Sequence, residues 1–215
     1  MSGHERGELV KLPKVLIIGD SISMGYTGPV AEALRALAKV TRPEWAPGEE
    51  VNCGPTQCGL DNVHAWLGDG QWDVIHFNFG IWDTHLMDAQ GGMVLVEDNI
   101  ASRTDLHQRS TPEQYRKNLT TLVGTFQATG ARLIWASTTP IMSRTGTRIR
   151  AIPELNEVAA EVMKARNIPI DDLYSYTMPH VAEWQLADQC HFNALGYQEL
   201  GKQVAQCIRA ELICP

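Results

Sequence analysis

Three short runs of branched and apolar residues, each stopped by a turn residue, most constrain what this chain can fold into. They are Lys14-Val-Leu-Ile-Ile-Gly19, Trp72-Asp-Val-Ile-His-Phe-Asn-Phe79 and Arg132-Leu-Ile-Trp-Ala-Ser137. Near-continuous apolar runs of this length read as strands buried on both faces, the mark of a parallel sheet. In the second run Val74, His76 and Asn78 share one face, and Ile75, Phe77 and Phe79 the other. A weaker strand signal covers 50–53, and Ile168-Pro-Ile170 followed by Asp171-Asp172 reads as a further strong strand. Helical spacing fills the intervals. Val30, Ala33, Leu34, Leu37 and Ala38 predict a helix over 29–40, and Leu60, Val63 and Leu67 one over 60–67. Thr111-Pro-Glu-Gln opens a third helix with a capping residue and Pro at its first position, and Gly130 stops it. Residues 153–166 and 193–212 complete the series. Strands alternating with helices imply an α/β fold whose central parallel sheet is covered on both faces, with right-handed crossovers.

The length, 215 residues, suits one domain spanning 1–215. Within it, 1–12 reads as a loose N-terminus, and 84–110, where periodicity dissolves around Gly91-Gly92, as an insertion or lid. A net charge of −7 argues against a nucleic-acid partner, because binding phosphates needs a cationic face. No apolar run approaches the roughly 20 residues of a membrane span. The first eleven residues have no apolar centre, unlike a signal peptide. The five cysteines, Cys53, Cys58, Cys190, Cys207 and Cys214, form no Cys-x-x-Cys pair, which argues against zinc-ribbon and thioredoxin-like sites. A reducing compartment, and so the cytoplasm, is favoured. The oligomeric state is left open.

Ligands of open parallel sheets bind beyond the carboxyl ends of the strands. The residues there are Asp20-Ser21, Gly54-Pro-Thr56, Gly80-Ile-Trp-Asp83, Thr138-Thr139-Pro140 and, before the last helix, Asp188-Gln-Cys-His191. Acyl transfer needs a hydroxyl, a base within reach and a group that orients the base. Ser21, His191 and Asp188 can supply these. Backbone N–H groups of Ser21 and Gly54 can receive the oxyanion. Asn78, Asp83, His85, Thr139 and Trp184 are candidate substrate contacts on the same rim. Asp83 with His85, or Asp188 with His191, are pairs, too few for a zinc site. No metal or cofactor is expected. Other readings are structural: Asp20 as a turn residue, His76 as a buried histidine, Thr138 and Thr139 as a strand end, Cys190 as a small filler, and Trp66, Trp72 and Trp135 as packing.

In this arrangement the chain resembles the SGNH (GDSL-type) hydrolases. Gly19-Asp20-Ser21 looks like that family's first block and Asn52-Cys-Gly54-Pro-Thr56 like its second. Gly80-Ile-Trp-Asp83 stands where Gly-x-Asn-Asp belongs, and Asp188-Gln-Cys-His191 followed by Phe-Asn-Ala-Leu-Gly196-Tyr197 resembles the Asp-x-x-His block. The resemblance implies a three-layer α/β/α flavodoxin-like fold and serine esterase chemistry without a metal. One departure stands out: Trp82 occupies the position of the family's Asn, whose amide donates to the oxyanion. An indole nitrogen is a donor only, so Trp82 either replaces the amide or walls the acyl pocket, with Asn78 and His85 as other donors nearby.

The leading expectation is a serine ester hydrolase acting on a small or saccharide ester, with carbohydrate O-deacetylation put first by resemblance. A short-chain carboxylesterase or thioesterase is the close alternative. A non-catalytic glycan-binding domain is the reading of another class, kept open by Trp82. A phosphate or nucleotide binder lacks its Gly-rich fingerprint in Gly19-Asp-Ser-Ile-Ser-Met-Gly25.

Overall fold

The computed structural model describes residues 11–68, 70–94, 103–144 and 150–213. Its centre is a five-stranded, all-parallel sheet built from β1 (Lys14–Ile18), β2 (Lys39–Thr41), β3 (Val74–Phe77), β7 (Arg132–Ala136) and β8 (Ile170–Asp171). The strand order is β2-β1-β3-β7-β8. The order reverses between β1 and β3, which puts the topological switch point, and the crevice where such sheets bind ligands, between them. Val15 lies opposite Val74 and Ile18 opposite Phe77, so these two strands end level.

Alternation along the strands sorts the core into two layers. Leu16, Ile18, Ile75, Phe77, Leu133 and Trp135 face α2 (Thr56–Leu67), α3 (Pro112–Gln127) and α4 (Ala151–Ala165). Val15, Ile17, Val74, Ile134 and Ala136 face α1 (Ser21–Leu34) and α7 (Ala194–Ile213). The expected α/β/α architecture is what forms. Thr111 caps α3, accepting from the Gln114 N–H at 3.2 Å with Pro112 next in line, and Gly130 follows at φ 77°.

The first helix differs from the expectation. It starts at Ser21, not at Pro29, because Asp20 caps it: Asp20 Oδ1 accepts from the Ile22 N–H at 3.0 Å. Pro29 therefore lies inside α1. A tertiary fit holds this stretch in place. A Cβ on Gly201 would lie 2.4 Å from Pro29 Cβ, and one on Gly25 would lie 2.1 Å from the Tyr197 ring. Pro29 thus seats over Gly201 of α7, and Tyr197, one turn earlier, seats over Gly25 of α1. The second strand also differs: it is Lys39–Thr41, which the helical spacing had absorbed, rather than 50–53. Val51 and Cys53 are fully buried as core residues instead, with the Val51 N–H donating to Pro43 O and the Cys53 N–H to Gly19 O. The helix α2 begins at Thr56, four residues before the expected Leu60.

The described part of 84–110 forms regular structure. β4 (Leu86–Met87) pairs antiparallel with β5 (Met93–Val94) and β6 (His107–Gln108) in a small second sheet. Residues 95–102 of that expected insertion lie outside the described residues, as does most of the expected N-terminal segment 1–12. Two short helices, α5 (Leu173–Thr177) and α6 (Val181–Trp184), precede the last loop.

The reciprocal glycine seats predict a steric effect. Gly201→Ala should lower stability by about 1–3 kcal/mol, the usual range for overpacking a close contact. It is read as a fall in Tm, and an unchanged Tm would remove the seat from the argument.

Candidate active site

The turn after β1 is the start of α1, so Ser21 sits at a helix N-terminus, where its N–H has no acceptor within the helix. Ser21 Oγ lies 2.8 Å from His191 Nε2. His191 Nδ1 lies 2.6 Å from Asp188 Oδ2. The other carboxylate oxygen, Oδ1, accepts from the Cys190 and His191 N–H groups at 3.0 and 2.9 Å. Partial desolvation pushes Asp188 up, but the bonds from the His191 side chain and the two backbone N–H groups outweigh it and hold its carboxyl below the usual range. A hydroxyl, an imidazole and a stably ionised carboxylate in line can pass a proton from the hydroxyl to the ring and hold the resulting imidazolium.

The loop that carries this His and Asp is closed by its own backbone. Gln185 and Phe192 form an antiparallel bridge, the Leu186 N–H donates to His191 O at 2.8 Å, and Gln189 takes φ 55° to complete the turn. The Met142 N–H donates to Gln189 O, and Gln185 Nε2 to Pro140 O, stitching this loop to the one after β7. Asn193 Oδ1 accepts from the Gly196 N–H and so caps α7. Burial, then the charges of Asp20 and Asp188, push the Cys190 thiol up to about 12. It is a protonated thiol at neutral pH, not a competing nucleophile.

Gly54 follows Cys53, whose N–H donates to Gly19 O before Ser21; it takes φ +62°, a conformation that only glycine adopts without strain, and its N–H donates to Asn52 Oδ1 at 3.2 Å. Trp82 follows β3 in a single 3₁₀ turn, Trp82–Thr84. It is half-buried, with the His85 ring centroid 5.1 Å from its own and the Arg109 guanidinium over it at 5.8 Å.

Four expected substrate contacts are placed otherwise. Asp83 is fully buried: Oδ1 accepts from Thr56 Oγ1 and Ser110 Oγ, both at 2.6 Å, and Oδ2 from the Thr56 N–H at 3.0 Å. Burial raises its pKa, opposed by those bonds. Asp83 is a knot joining three segments, with no oxygen left over for substrate. The Asn78 amide donates to Ala136 O and Thr138 Oγ1, so it ties β3 to the end of β7. Trp184 is buried and stacked on His180 at 4.1 Å, and its carbonyl accepts from the Asn193 N–H, which makes it a core cap. Thr139 is buried at the edge of a cavity of about 10 Å³ that Asp20 and Ile22 also line. His85 stays half-buried at the rim, its Nδ1 3.3 Å from Trp82 O. Among the described residues no group of three or more His, Cys, Asp or Glu side chains could hold a metal.

Sequence reasoning missed Arg42. Its side chain is 2% exposed. Nη1 donates to Ser23 Oγ and Thr27 Oγ1, and Nη2 to Gly19 O and Val51 O at 3.2 and 2.7 Å. Nε faces Glu50 Oε2 at 3.4 Å. No local pattern marks it: an arginine before a proline in a connecting loop looks solvated.

A model of a GDSL-like lipase/acylhydrolase family matches residues 17–199. The chain belongs to that family. It is accordingly a hydrolase of the esterase and acylhydrolase class. Comparison with curated proteins gives no match. Solved structures share the fold. A lipase/acylhydrolase from Enterococcus faecalis superposes with TM-score 0.68 at 24% identity, covering 93% of this chain and 96% of that one. An acetyl xylan esterase, AlAXEase, gives 0.68 at 13% identity, covering 91% and 99%. A GDSL-like lipase from Bacteroides thetaiotaomicron gives 0.66 at 14%, covering 92% and 88%.

Asp20 generates a pH prediction. Its Oδ2 is buried without a partner among the described residues. Burial pushes its pKa up to about 6 from 3.8, against the Ile22 hydrogen bond and the charges of His191 and Arg42. A carboxyl raised in the folded state binds its proton more tightly folded than unfolded. Its contribution to stability is present below about pH 4 and is lost as pH rises through about 6. Asn at this position keeps the capping oxygen and does not titrate. The unfolding free-energy difference between wild type and Asp20→Asn, read by denaturant unfolding, should therefore move in favour of the variant across pH 4 to 6.5, by on the order of 3 kcal/mol. A difference that stays flat across that range would show that Asp20 titrates normally.

Proposed function

We propose that this chain is a serine esterase that removes acetyl groups from carbohydrate, with Ser21 as nucleophile, His191 as base and Asp188 as its orienting partner. The observation that carries this reading is the relay at 2.8 and 2.6 Å from Ser21 Oγ through His191 to Asp188. Ser21 Oγ attacks the ester carbonyl carbon as His191 Nε2 takes its proton. The oxyanion forms against the Ser21 N–H and the Trp82 indole N–H, with the Gly54 N–H exchanging its Asn52 Oδ1 acceptor for the oxyanion. His191 then returns the proton to the leaving sugar oxygen as the carbon–oxygen bond breaks. Water, deprotonated by His191, attacks the acetyl-enzyme, acetate departs and Ser21 regains its proton.

A short acyl group is supported by one structural neighbour, which is described as an acetyl xylan esterase. The half-exposed indole of Trp82 supports a saccharide on the alcohol side, since aromatic faces pack well against sugar rings.

Purified protein should release 4-nitrophenol from 4-nitrophenyl acetate and acetate from acetylated sugars. Ser21→Ala should lose on the order of 10⁴-fold or more in kcat, the scale seen when a nucleophile is removed. Equal turnover by both proteins, or none by wild type, would end the serine-esterase reading. Faster turnover of butyryl or thioester substrates than of acetylated sugars would move the assignment to the short-chain carboxylesterase or thioesterase alternative. For Trp82, the donor role predicts that Trp82→Phe lowers kcat by about 10²–10³ with KM little changed, as for other oxyanion donors. Full kcat in that variant would leave Trp82 as a pocket wall.

A further inference from the structure

We propose that Arg109 forms an anion-binding subsite on the rim of this cleft, so that the preferred ester is an acetylated saccharide carrying a negative charge. The inference rests on the esterase reading above and deepens it.

The subsite is built by the Asp83 knot. Thr56, Asp83 and Ser110 meet at one buried carboxylate, and the Ser110 N–H also donates to Asp83 O at 3.1 Å. The residue before each of two members of that junction, Trp82 before Asp83 and Arg109 before Ser110, is only half-buried. The Arg109 N–H donates to His85 O at 2.8 Å, which extends the ladder of the small sheet and fixes Arg109 in register with the 3₁₀ turn. The guanidinium comes to rest over the Trp82 ring, 5.8 Å from its centroid. A cation over an indole face is held in place without being neutralised.

Among the described residues that charge has no ion-paired carboxylate, whereas Arg103, Arg116 and Arg150 each have one. It is felt only at a distance by Asp83, both of whose oxygens already accept from Thr56 and Ser110. Arg109 Nε is buried with nothing to donate to, so a polar side chain has been drawn against the protein without compensation. The two terminal nitrogens donate to no described residue, and Arg109 is only half-buried, so they can meet a ligand. In a chain of net charge −7, an uncompensated guanidinium at the cleft is a local reversal of sign.

The position links it to the reacting end. Gly19, two residues before Ser21, accepts from the Cys53 N–H, Gly54 and Pro55 lead directly into Thr56, and Thr56 binds Asp83. Short, buried connections therefore run from the nucleophile turn to the Arg109 platform. A guanidinium presents paired donors that fit a carboxylate or phosphate. A carboxylate on the sugar that bears the acetyl group, or on its neighbour, is the chemistry this geometry favours, and a sugar phosphate shares it.

The test compares O-acetylated galacturonate with O-acetylated galactose, which differ only in the carboxylate, and adds O-acetylated galactose 6-phosphate to separate the two anions. 4-Nitrophenyl acetate, which is neutral, reports the esterase reading by itself. Wild type should prefer an anionic substrate over galactose by about tenfold or more in kcat/KM, mostly through KM, the scale of one charge-assisted hydrogen bond. High salt should erode that preference. Arg109→Gln should bring the ratio close to one, and Arg109→Lys, which keeps the charge, should retain part of it. Dependence of the preference on Arg109 supports the subsite, with the favoured anion naming its source. A wild-type ratio near one, or a preference that survives Arg109→Gln, overturns it while leaving the esterase intact. Absence of turnover on 4-nitrophenyl acetate overturns both.

Discussion

The buried guanidinium of Arg42 is the interaction on which the cleft depends. It sits where β1, β2 and the segment before Gly54 converge, and its two terminal nitrogens reach Ser23 and Thr27 on α1, Gly19 after β1, and Val51. Two of these acceptors are backbone carbonyls, Gly19 O, which also accepts from the Cys53 N–H, and Val51 O. A buried carbonyl left without a donor costs about 1–3 kcal/mol, a penalty Arg42 offsets at Val51. Its own desolvation is large and is balanced by four donated bonds and by Glu50 at the surface. The result is a rigid joint: the residue before Asp20 and the residues after Ser21 cannot move independently of the Gly54 turn. A catalytic geometry that must hold within tenths of an ångström needs support of this kind.

Two buried aspartates beside that joint show how environment divides one residue type into different roles. Asp83 has every lone-pair direction it needs filled by Thr56 and Ser110. It acts as an anchor between the Thr56, Trp82 and Ser110 segments. Asp20 has one oxygen committed to the helix cap and the other without a partner. It stays close to its protonation threshold, under the turn that carries Ser21. Both lie within the blocks that carry the family resemblance, yet neither is placed to touch substrate. Of the groups proposed to do so, Ser21 stands on the turn that Asp20 caps, and Trp82 precedes Asp83 in the turn that Thr56 and Ser110 hold.

Much of the scaffold was legible because buried parallel strands leave an unambiguous trace. β1, β3 and β7 are near-continuous apolar runs, and α3 carries both its cap and its stop in local chemistry. The start of α1 was not legible, because Pro29 looks like a helix opener until Gly201 of α7 is seen to receive it. β2 is only three residues long and its neighbours in sequence continue a helical spacing, so nothing local separates it. Of the candidate site residues, Ser21, Asp188 and His191 were legible from their positions before helices and in a short turn, and they converge in space. Asp83, Asn78 and Trp184 also stand beside that rim in sequence, but their polar atoms or rings turn inward to satisfy buried partners. Position along the chain does not reveal that direction.

The amino-acid sequence alone determined the alternation of strand and helix, the family, and the residues at the strand ends where a site could form. These follow from short-range pattern: side-chain period, capping and turn chemistry. The tertiary structure decided which of those side chains turn inward, that Arg42 ties the Ser21 turn to Val51, and that Arg109 lies over Trp82 with no ion-paired carboxylate among the described residues. Those outcomes depend on hydrogen-bond satisfaction between segments distant in sequence, which exists only once the chain has folded.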